Sequence, residues 1–233
     1  MRRRRKSHLG LWISLIVIGI VIAFGLFFWK IYSVKNSPEF NPSSISVYFL
    51  INANEEANLE TQESGYFIIV EGSERSVYVI RVKNHSYNSE TKQEIDFENP
   101  KLSESLLADM LGVKPIYDYY VIYNKNSFNN FVSSFGVNAN NFEDLFNQLA
   151  QRGLKIFDYF RLAGVVKKLR PDTTLTSEGL AKLLYSFGTY SVRMLDLTTM
   201  TEKPLKITVL NKTFERLYID LDKLNQLKEE IRR

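Results

Sequence analysis

The feature that most constrains this chain is an uncharged apolar run near its N-terminus, Leu9–Trp29, with the sequence LGLWISLIVIGIVIAFGLFFW. At about 1.5 Å per residue, a helix of this length is roughly 31 Å long, which matches the ~30 Å hydrocarbon core of a bilayer. The run is longer than the apolar region of a signal peptide, and it ends in bulky residues instead of a small-residue cleavage site. The sequence therefore predicts an uncleaved transmembrane helix over residues 9–29.

The charges around this run predict its orientation. The basic sequence MRRRRK precedes it, whereas only Lys30 and Lys35 follow it closely. Because cytoplasmic flanks of membrane helices are enriched in Lys and Arg, we expect residues 1–8 to form a cytoplasmic basic tip. Residues 30–43 are predicted to be a linker, and residues 44–233 an extracytoplasmic domain at the cell membrane.

Composition excludes several classes of function. The chain has 30 basic and 26 acidic residues, and six of the basic residues but no acidic one lie in residues 1–30. The remainder therefore carries 24 basic against 26 acidic residues, a net charge of −2, and a nucleic-acid partner is not expected because such a partner requires a basic surface. The absence of cysteine excludes disulfides, thiolate metal sites and iron–sulfur clusters, and no cofactor is predicted.

Strand and helix patterns alternate along the body, which predicts an α/β fold with one core. The clearest hairpin joins Tyr66–Val70 to Ser76–Val82. Residues 84–98 are polar and are predicted to be a long loop. A helix should begin at Pro100 and end before Gly112, and residues 154–169 carry another helical pattern.

No phosphate-loop, dinucleotide-binding, zinc-protease or nucleophile-elbow motif occurs in the sequence. His85 lies in a polar stretch and is either a solvent-facing side chain or a ligand-binding one. Asp118, in the strand Tyr117–Tyr123, is either a ligand-binding carboxylate or one bonded to backbone, and the tyrosines of that strand either stack on a ligand or pack in a half-buried sheet. Arg161 clusters with three further cations, which form either an anion-binding group or a solvated face. Those three cations are Lys167, Lys168 and Arg170.

Residues 102–137, LSESLLADMLGVKPIYDYYVIYNKNSFNNFVSSFGV, resemble a block of the LytR-CpsA-Psr family of bacterial cell-envelope proteins. In that block a helix ending in Leu-Gly-Ile/Val is followed by an Asp-Tyr-Tyr-Val strand and a Phe-x-x-Leu-Val-Asp-x-x-Gly-Gly-Val segment. The hairpin and the later stretch TTLTSEGLAKLL are also similar to parts of the family, and the resemblance covers residues 46–190 in pieces. The positions of the block that fit are Asp118, Tyr119, Tyr120, Val121, Phe128, Val132, Gly136 and Val137.

The resemblance implies one three-layer αβα domain with a mixed sheet behind the N-terminal membrane helix. It also implies an activity, because the family binds polyprenyl-pyrophosphate-linked glycopolymers and, with Mg²⁺, transfers them to peptidoglycan. Arginine and aspartate residues of the family hold the pyrophosphate and the metal, and this chemistry needs concentrated positive charge and oxygen ligands.

The charged residues of the family motifs are largely replaced in this chain. Glu63-Ser64-Gly65-Tyr66 stands at the family's Arg-Ser-Asp-Thr, and Lys83-Asn84-His85 stands at its Pro-Arg-Asp. Arg161 is the nearest candidate for the family's Phe-Val-Arg-x-Arg segment. We therefore predict a catalytically degenerate relative with no catalytic residues, and the candidate ligand-binding residues are Arg81, Lys83, His85, Asp118 and Arg161.

Three functions follow from this interpretation. The preferred one is a single-pass envelope protein that binds or scaffolds at the cell wall, with the bilayer and cell-wall glycopolymer or envelope proteins as partners. The first alternative is a divergent glycopolymer transferase that uses Mg²⁺ and charged groups such as Arg81, Lys83 and Arg161. The second alternative is a protein-binding subunit of an envelope complex.

The predicted orientation is testable by protease protection in right-side-out membrane vesicles. We expect protease added outside to digest residues 44–233 and to leave an epitope tag at the N-terminus protected, because the basic tip holds that end in the cytoplasm. Vesicles opened with detergent, in which the tag should be lost, are the control. Protection of the whole body in sealed vesicles contradicts the prediction.

Overall fold

Strands and helices alternate along the chain, and a computed structural model describes residues 9–52, 64–169, 173–209 and 212–232. The helices are α1 (Leu9–Lys35), α2 (Pro100–Leu111), α3 (Lys125–Phe135), α4 (Phe142–Arg152), α5 (Leu162–Leu169), α6 (Ser177–Thr189) and α7 (Leu221–Ile231). The strands are β1 (Ser46–Asn52), β2 (Ser64–Glu71), β3 (Ser76–Lys83), β4 (Ser86–Asn88), β5 (Gln93–Ile95), β6 (Tyr117–Tyr123), β7 (Ser191–Asp196), β8 (Leu205–Val209) and β9 (Lys212–Tyr218). Two short 3₁₀ helices cover Pro38–Phe40 and Ile156–Phe160.

A mixed sheet with the strand order β6-β1-β2-β3-β7 forms the middle layer. The neighbours β1 and β2, and β2 and β3, are antiparallel, whereas β1 pairs with β6 and β3 with β7 in parallel. The chain passes from α1 through the 3₁₀ helix Pro38–Phe40 to the first residue of β1. The end of the sheet at which β1 begins is called the α1 end, and the opposite end is called the far end. The row at the α1 end contains Ser46, Val70 and Val77, and a row nearer the far end contains Val121, Leu50, Tyr66, Arg81 and Asp196.

Both faces of this sheet are apolar. In β1, Tyr48 and Leu50 contribute to one buried cluster and Val47 and Phe49 to the other, which explains the uninterrupted apolar sequence of this strand. The first cluster is covered by α3, α4, α5 and α6, and the second by α2 and α7. The predicted α/β class and the three-layer αβα arrangement are therefore confirmed.

Residues 84–98, which were predicted to be a loop, contain the strands β4 and β5. These two strands belong to a second, four-stranded sheet with the order β5-β4-β9-β8. β4 and β5 are three residues each, and Ser86 of β4 pairs in parallel with Leu217 of β9. The prediction of a loop was wrong because strands this short are specified by a distant partner strand and not by their own sequence pattern.

The segment between α1 and β1 is packed against the domain. α1 continues to Lys35, so the first part of the predicted linker is helical, and Val34 and Phe40 are buried. Glu39 accepts hydrogen bonds from the hydroxyl groups of Tyr119 and Thr176. These contacts fix the end of α1 relative to the sheet.

Lys182 of α6 adds a buried cation to the same junction. Its Nζ donates to the carbonyl and the hydroxyl oxygen of Ser44, both at 2.6 Å, and to the Ser46 hydroxyl at 2.9 Å. Burial lowers the pKa of Lys182 from 10.5 to about 8. The ammonium group is therefore satisfied by oxygen acceptors from the residues that precede and begin β1.

The apolar helix has the length and composition to cross a membrane. The segment Trp12–Lys35 meets both conditions, and its most apolar stretch is not buried inside the structure. The predicted basic tip at residues 1–8 lies outside the described residues, as does Arg170 of the predicted cation cluster. The helical pattern predicted at residues 154–169 is divided into the 3₁₀ helix Ile156–Phe160 and α5.

The crossing of α4 and α6 generates a stability prediction. A Cβ atom added at Gly188 of α6 would lie 2.3 Å from the Cα atom of Gly153, whereas one added at Gly164 of α5 meets nothing within 4 Å. We expect Gly188→Ala to lower the free energy of unfolding by about 1–3 kcal/mol because backbone must move apart. Gly164→Ala should be neutral or stabilising by up to about 1 kcal/mol.

Denaturant unfolding of the full chain in detergent measures both variants. Equal unfolding midpoints for the two variants would show that the close approach of the two helices is not a constraint.

Candidate functional site

An apolar cavity lies between the sheet and the helices α3–α6. The volume in which the centre of a water-sized molecule can be placed is about 60 Å³, and the exposed surface of the lining is entirely apolar. A lining of this character offers water few hydrogen-bond partners and so favours an apolar occupant. The lining residues are Leu50, Val121, Tyr123, Ser127, Phe128, Phe131, Phe142, Leu145, Phe146, Leu149, Leu169, Leu175, Leu180, Leu183 and Phe187.

The walls of the cavity follow from local sequence. Asn141 caps α4 by accepting a hydrogen bond from the Asp144 backbone at 2.8 Å. The helix then presents Phe142, Phe146 and Leu149 to the cavity, which is helical spacing. The opposite wall, α3, is packed more loosely, because Phe135 is its only fully buried residue. The cavity therefore has one firm helical wall and one that is held by few contacts.

The mouth of the cavity is a cluster of aromatic rings around Phe142. The ring of Phe142 lies 4.3 Å from that of Tyr123, 4.9 Å from that of Phe128 and 5.4 Å from that of Tyr66, between centroids. Polar groups surround these rings and form the rim of an adjoining depression. The polar rim residues are Asn52, Ser64, Lys125, Asn140 and Asn141.

Arg81 lies beside this mouth, in the same row of the sheet as Tyr66 and Leu50. Its Nε donates to Asp196 at 2.7 Å, and its Nη1 is 3.5 Å from Glu143. The hydrogen bond that Arg81 donates to Asp196 raises the pKa of Arg81, and burial raises the pKa of Tyr66. The Arg81 guanidinium is thus paired with two carboxylates, those of Asp196 and Glu143.

Lys83 and His85 follow Arg81 at the end of β3. Lys83 is two residues beyond Arg81 on the same face of the strand and pairs in register with Ser64. His85 has a left-handed backbone (φ 59°) and turns away into the small sheet, where its Nδ1 lies 3.0 Å from Glu94. The structure therefore places Lys83 near the mouth and His85 in a separate hydrogen bond with Glu94.

Asp118 lies on the opposite face of the sheet. Strand neighbours alternate between faces, and Tyr119 and Val121 belong to the cavity side, so the exposed Asp118 points toward α2. There it faces Glu104, which is 2% exposed. Burial, followed by the charge of Asp118, raises the pKa of Glu104 from 4.5 to about 8, and Lys101 opposes this shift.

Arg161 lies on the helical layer, just after the 3₁₀ helix Ile156–Phe160. Its Nη1 donates to the carbonyl oxygen of Ser134 at 2.9 Å. Of the predicted site residues, the structure brings together Arg81 and Lys83, whereas His85, Asp118 and Arg161 lie at three other places.

Sequence reasoning missed the residues that define the mouth. None of Phe142, Glu143 and Asp196 stood out as a site residue in the sequence pattern. The helix-capping pattern at Asn141 was the available signal for the position of Phe142, but nothing local indicates which strand faces it.

The mouth does not fit the Mg²⁺ that the family resemblance implies. Glu143 and Asp196 both face Arg81, and the described part of the chain contains no group of three or more acids or histidines placed to hold a metal. Mg²⁺ is usually held by one or two carboxylates together with water and substrate phosphates, and here both nearby carboxylates are already paired with the Arg81 guanidinium.

Comparison with known proteins gives matches to solved structures. No family model and no curated protein matches the sequence. A fragment of Lmo1026 from Listeria monocytogenes is 13% identical and covers 84% of this chain and 98% of its own, with a TM-score of 0.52. Lin1025 from Listeria innocua is 11% identical and covers 82% of this chain and 97% of its own, also with a TM-score of 0.52.

The matches also include the LytR-CPS2A-psr family protein YwtF (TagT) from Bacillus subtilis, solved with bound octaprenyl pyrophosphate. It is 13% identical and covers 85% of this chain and 94% of its own, with a TM-score of 0.46. The solved structures similar to this chain thus include a LytR-CPS2A-psr family protein, and the two Listeria matches, with TM-scores of 0.52, confirm the predicted resemblance at the level of the fold.

Glu104 generates a prediction about pH. Its raised pKa means that the folded chain binds more protons than the unfolded chain between about pH 5 and pH 8, so stability should fall as the pH rises through that window. Glu104→Gln should flatten this slope and stabilise the chain at pH 8. Denaturant unfolding of the full chain in detergent at several pH values measures both effects.

Asp109→Asn, at an exposed acid of the same helix, is the matched control and should keep the slope of the parent chain. An unchanged slope in Glu104→Gln would show that Glu104 does not titrate in this window.

Proposed function

We propose that this chain is a membrane-anchored cell-envelope protein whose LytR-CpsA-Psr-like domain binds a polyprenyl lipid by its tail without transferring a polymer. The observation that carries this proposal is the apolar cavity with an aromatic mouth. Tail recognition needs an apolar, water-free lining, whereas transfer of a pyrophosphate-linked polymer needs concentrated positive charge and a metal.

The tail part of the proposal rests on the lining and on the packing of α3. All exposed surface in the cavity is apolar, so a hydrocarbon gains by entering it. The cavity is small as it stands, and a prenyl chain would have to displace a wall. Phe128 and Phe131 of α3 are only partly buried, which makes α3 the wall that can move at least cost.

The non-catalytic part rests on the charges at the mouth. Arg81 already faces two carboxylates, so its charge is offset before any phosphate arrives. Lys125 lies at the rim and Lys83 lies nearby. This distribution is suited to orienting a head group and not to neutralising a developing charge during transfer.

The anchoring part rests on α1, which is long and apolar enough to cross a bilayer. The basic sequence before it favours a cytoplasmic N-terminus and an extracytoplasmic domain. With that orientation, the cavity lies in the compartment where cell-wall polymers are assembled.

A divergent transferase is the second candidate, and the position of Arg81 favours it. Arg81 stands in one row with Tyr66 and Leu50, next to the apolar cavity. Release of Arg81 from Asp196 and Glu143 would provide a cation for a pyrophosphate and two carboxylates beside it.

Native mass spectrometry of the full chain in mild detergent tests the proposal with octaprenyl pyrophosphate and inorganic pyrophosphate as probes. We expect the prenyl probe to bind, with no requirement for Mg²⁺, and inorganic pyrophosphate not to bind. Leu183→Trp fills the cavity from α6 and should weaken prenyl binding about tenfold or more, equivalent to about 1.4 kcal/mol. Circular dichroism confirms that the variant is folded.

Leu102→Trp is the matched control, because Leu102 is an exposed leucine of α2 on the other side of the sheet. Equal loss of binding in both variants would contradict the cavity as the binding site. Mg²⁺-dependent transfer of a polymer from the prenyl carrier to peptidoglycan, abolished by Arg81→Ala, would replace the proposal with the transferase.

A further inference from the structure

An apolar surface remains outside the cavity, on the 3₁₀ helix Ile156–Phe160. Ile156, Phe157 and Phe160 are 59%, 69% and 46% exposed, and these three residues are called the apolar tip. Three large apolar side chains on one short segment form a contiguous patch, and such patches mark contact with a partner or a membrane.

The apolar tip touches the membrane-spanning helix directly. The ring of Phe27 in α1 stacks on Phe160 with centroids 5.0 Å apart and meets the edge of Phe157 at 6.2 Å. Phe27 lies inside the uncharged run Leu9–Trp29. When that run occupies the hydrocarbon core, the tip lies at the depth of its C-terminal end.

The tip is held in a fixed shape by a buried ion pair beneath it. Asp158, with a side chain 1% exposed, accepts two hydrogen bonds from Arg152, at 2.6 and 2.8 Å. It also accepts the backbone N–H of Lys155 at 2.8 Å. The carboxylate is the one acidic group in this segment, and it is neutralised inside the protein, so the tip presents no negative charge.

Exposed cations flank the tip. Lys155 precedes it and Arg161 follows it, and Lys167 and Lys168 of α5 are also exposed. Long basic side chains beside apolar ones allow the charge to reach phosphate head groups while the apolar groups lie in the acyl region. This arrangement of apolar and basic side chains fits a bilayer rather than a protein partner, because the apolar tip contacts α1 and forms one apolar surface with it.

We propose that the apolar tip inserts into the lipid leaflet at which α1 ends, as a second membrane contact of the domain. This inference rests on the membrane anchor of the proposed function and not on lipid binding in the cavity. Two contacts fix the orientation of the domain relative to the bilayer, whereas one helix alone leaves it free to rotate.

Site-directed spin labelling tests the insertion, and the absence of cysteine from the chain allows single-cysteine variants without background labelling. The full chain is reconstituted in vesicles of phosphatidylethanolamine and phosphatidylglycerol, and nitroxides are placed by Phe157→Cys, Phe24→Cys and Met200→Cys. Power saturation compares collision with oxygen, which concentrates in lipid, and with a water-soluble nickel chelate.

Phe24 of α1 reports the lipid environment, and Met200 matches Phe157 in exposure, at 67% against 69%. Met200 follows β7, whose last residues lie toward the far end of the sheet. We expect the oxygen-to-nickel ratio at position 157 to approach that at position 24 and to exceed that at position 200 about threefold or more. Ile156→Cys is a second tip position for use if Phe157→Cys does not fold.

The possible results separate the two proposals. Lipid values at position 24 with aqueous values at the tip would overturn the insertion and keep the anchor. Aqueous values at position 24 would overturn the anchor and the insertion together. A tip label shielded from both reagents would also overturn the insertion, because protein and not lipid would then cover it.

Discussion

Burial of both faces of the five-stranded sheet is the constraint on which the rest of the structure depends. Successive apolar residues of β1, β2 and β3 point to opposite faces of the sheet. Each face must therefore be covered by helices. α2 and α7 cover one side closely, whereas four helices share the other side and leave the apolar cavity between them. The cavity and the three-layer architecture therefore have the same physical origin.

Local patterns in the sequence predicted the elements that are specified by their own residues. The hairpin β2–β3, the helix beginning at Pro100 and the strand at Tyr117–Tyr123 follow from alternation, capping and turn residues. The strands β4 and β5 did not follow from local patterns, because β4 is held by pairing with the distant strand β9. The cavity also could not be predicted, since helical and strand periodicity marks residues such as Leu183 and Val121 as core without showing that the space between them is unfilled.

The predicted site residues show the same limit in chemical terms. Arg81 was recognised as a cation, but the effect of its charge depends on Asp196, which pairs with it only because β7 lies beside β3. An exposed pair of this kind is weak and can exchange partners. The Arg152–Asp158 pair is different, because its side chains are 12% and 1% exposed, and removal of either partner would leave an uncompensated buried charge. The first pair belongs to a surface that can respond to a ligand, and the second to a fixed support.

In the proposed membrane-anchored form, the distance between the bilayer and the mouth of the cavity bears on the kind of lipid that the domain could hold. β1 runs for seven residues from the α1 end toward the mouth, which corresponds to roughly 20 Å at about 3.3 Å per residue. The cavity extends back along α4 from Phe142 to Leu149, in the direction of Arg152 and the apolar tip. A lipid whose head group lies at the mouth therefore directs its tail toward the membrane-facing side of the domain. If the proposed lipid binding holds, a short prenyl chain would have to leave the bilayer completely to occupy the cavity, whereas a longer chain could keep part of its length in the bilayer.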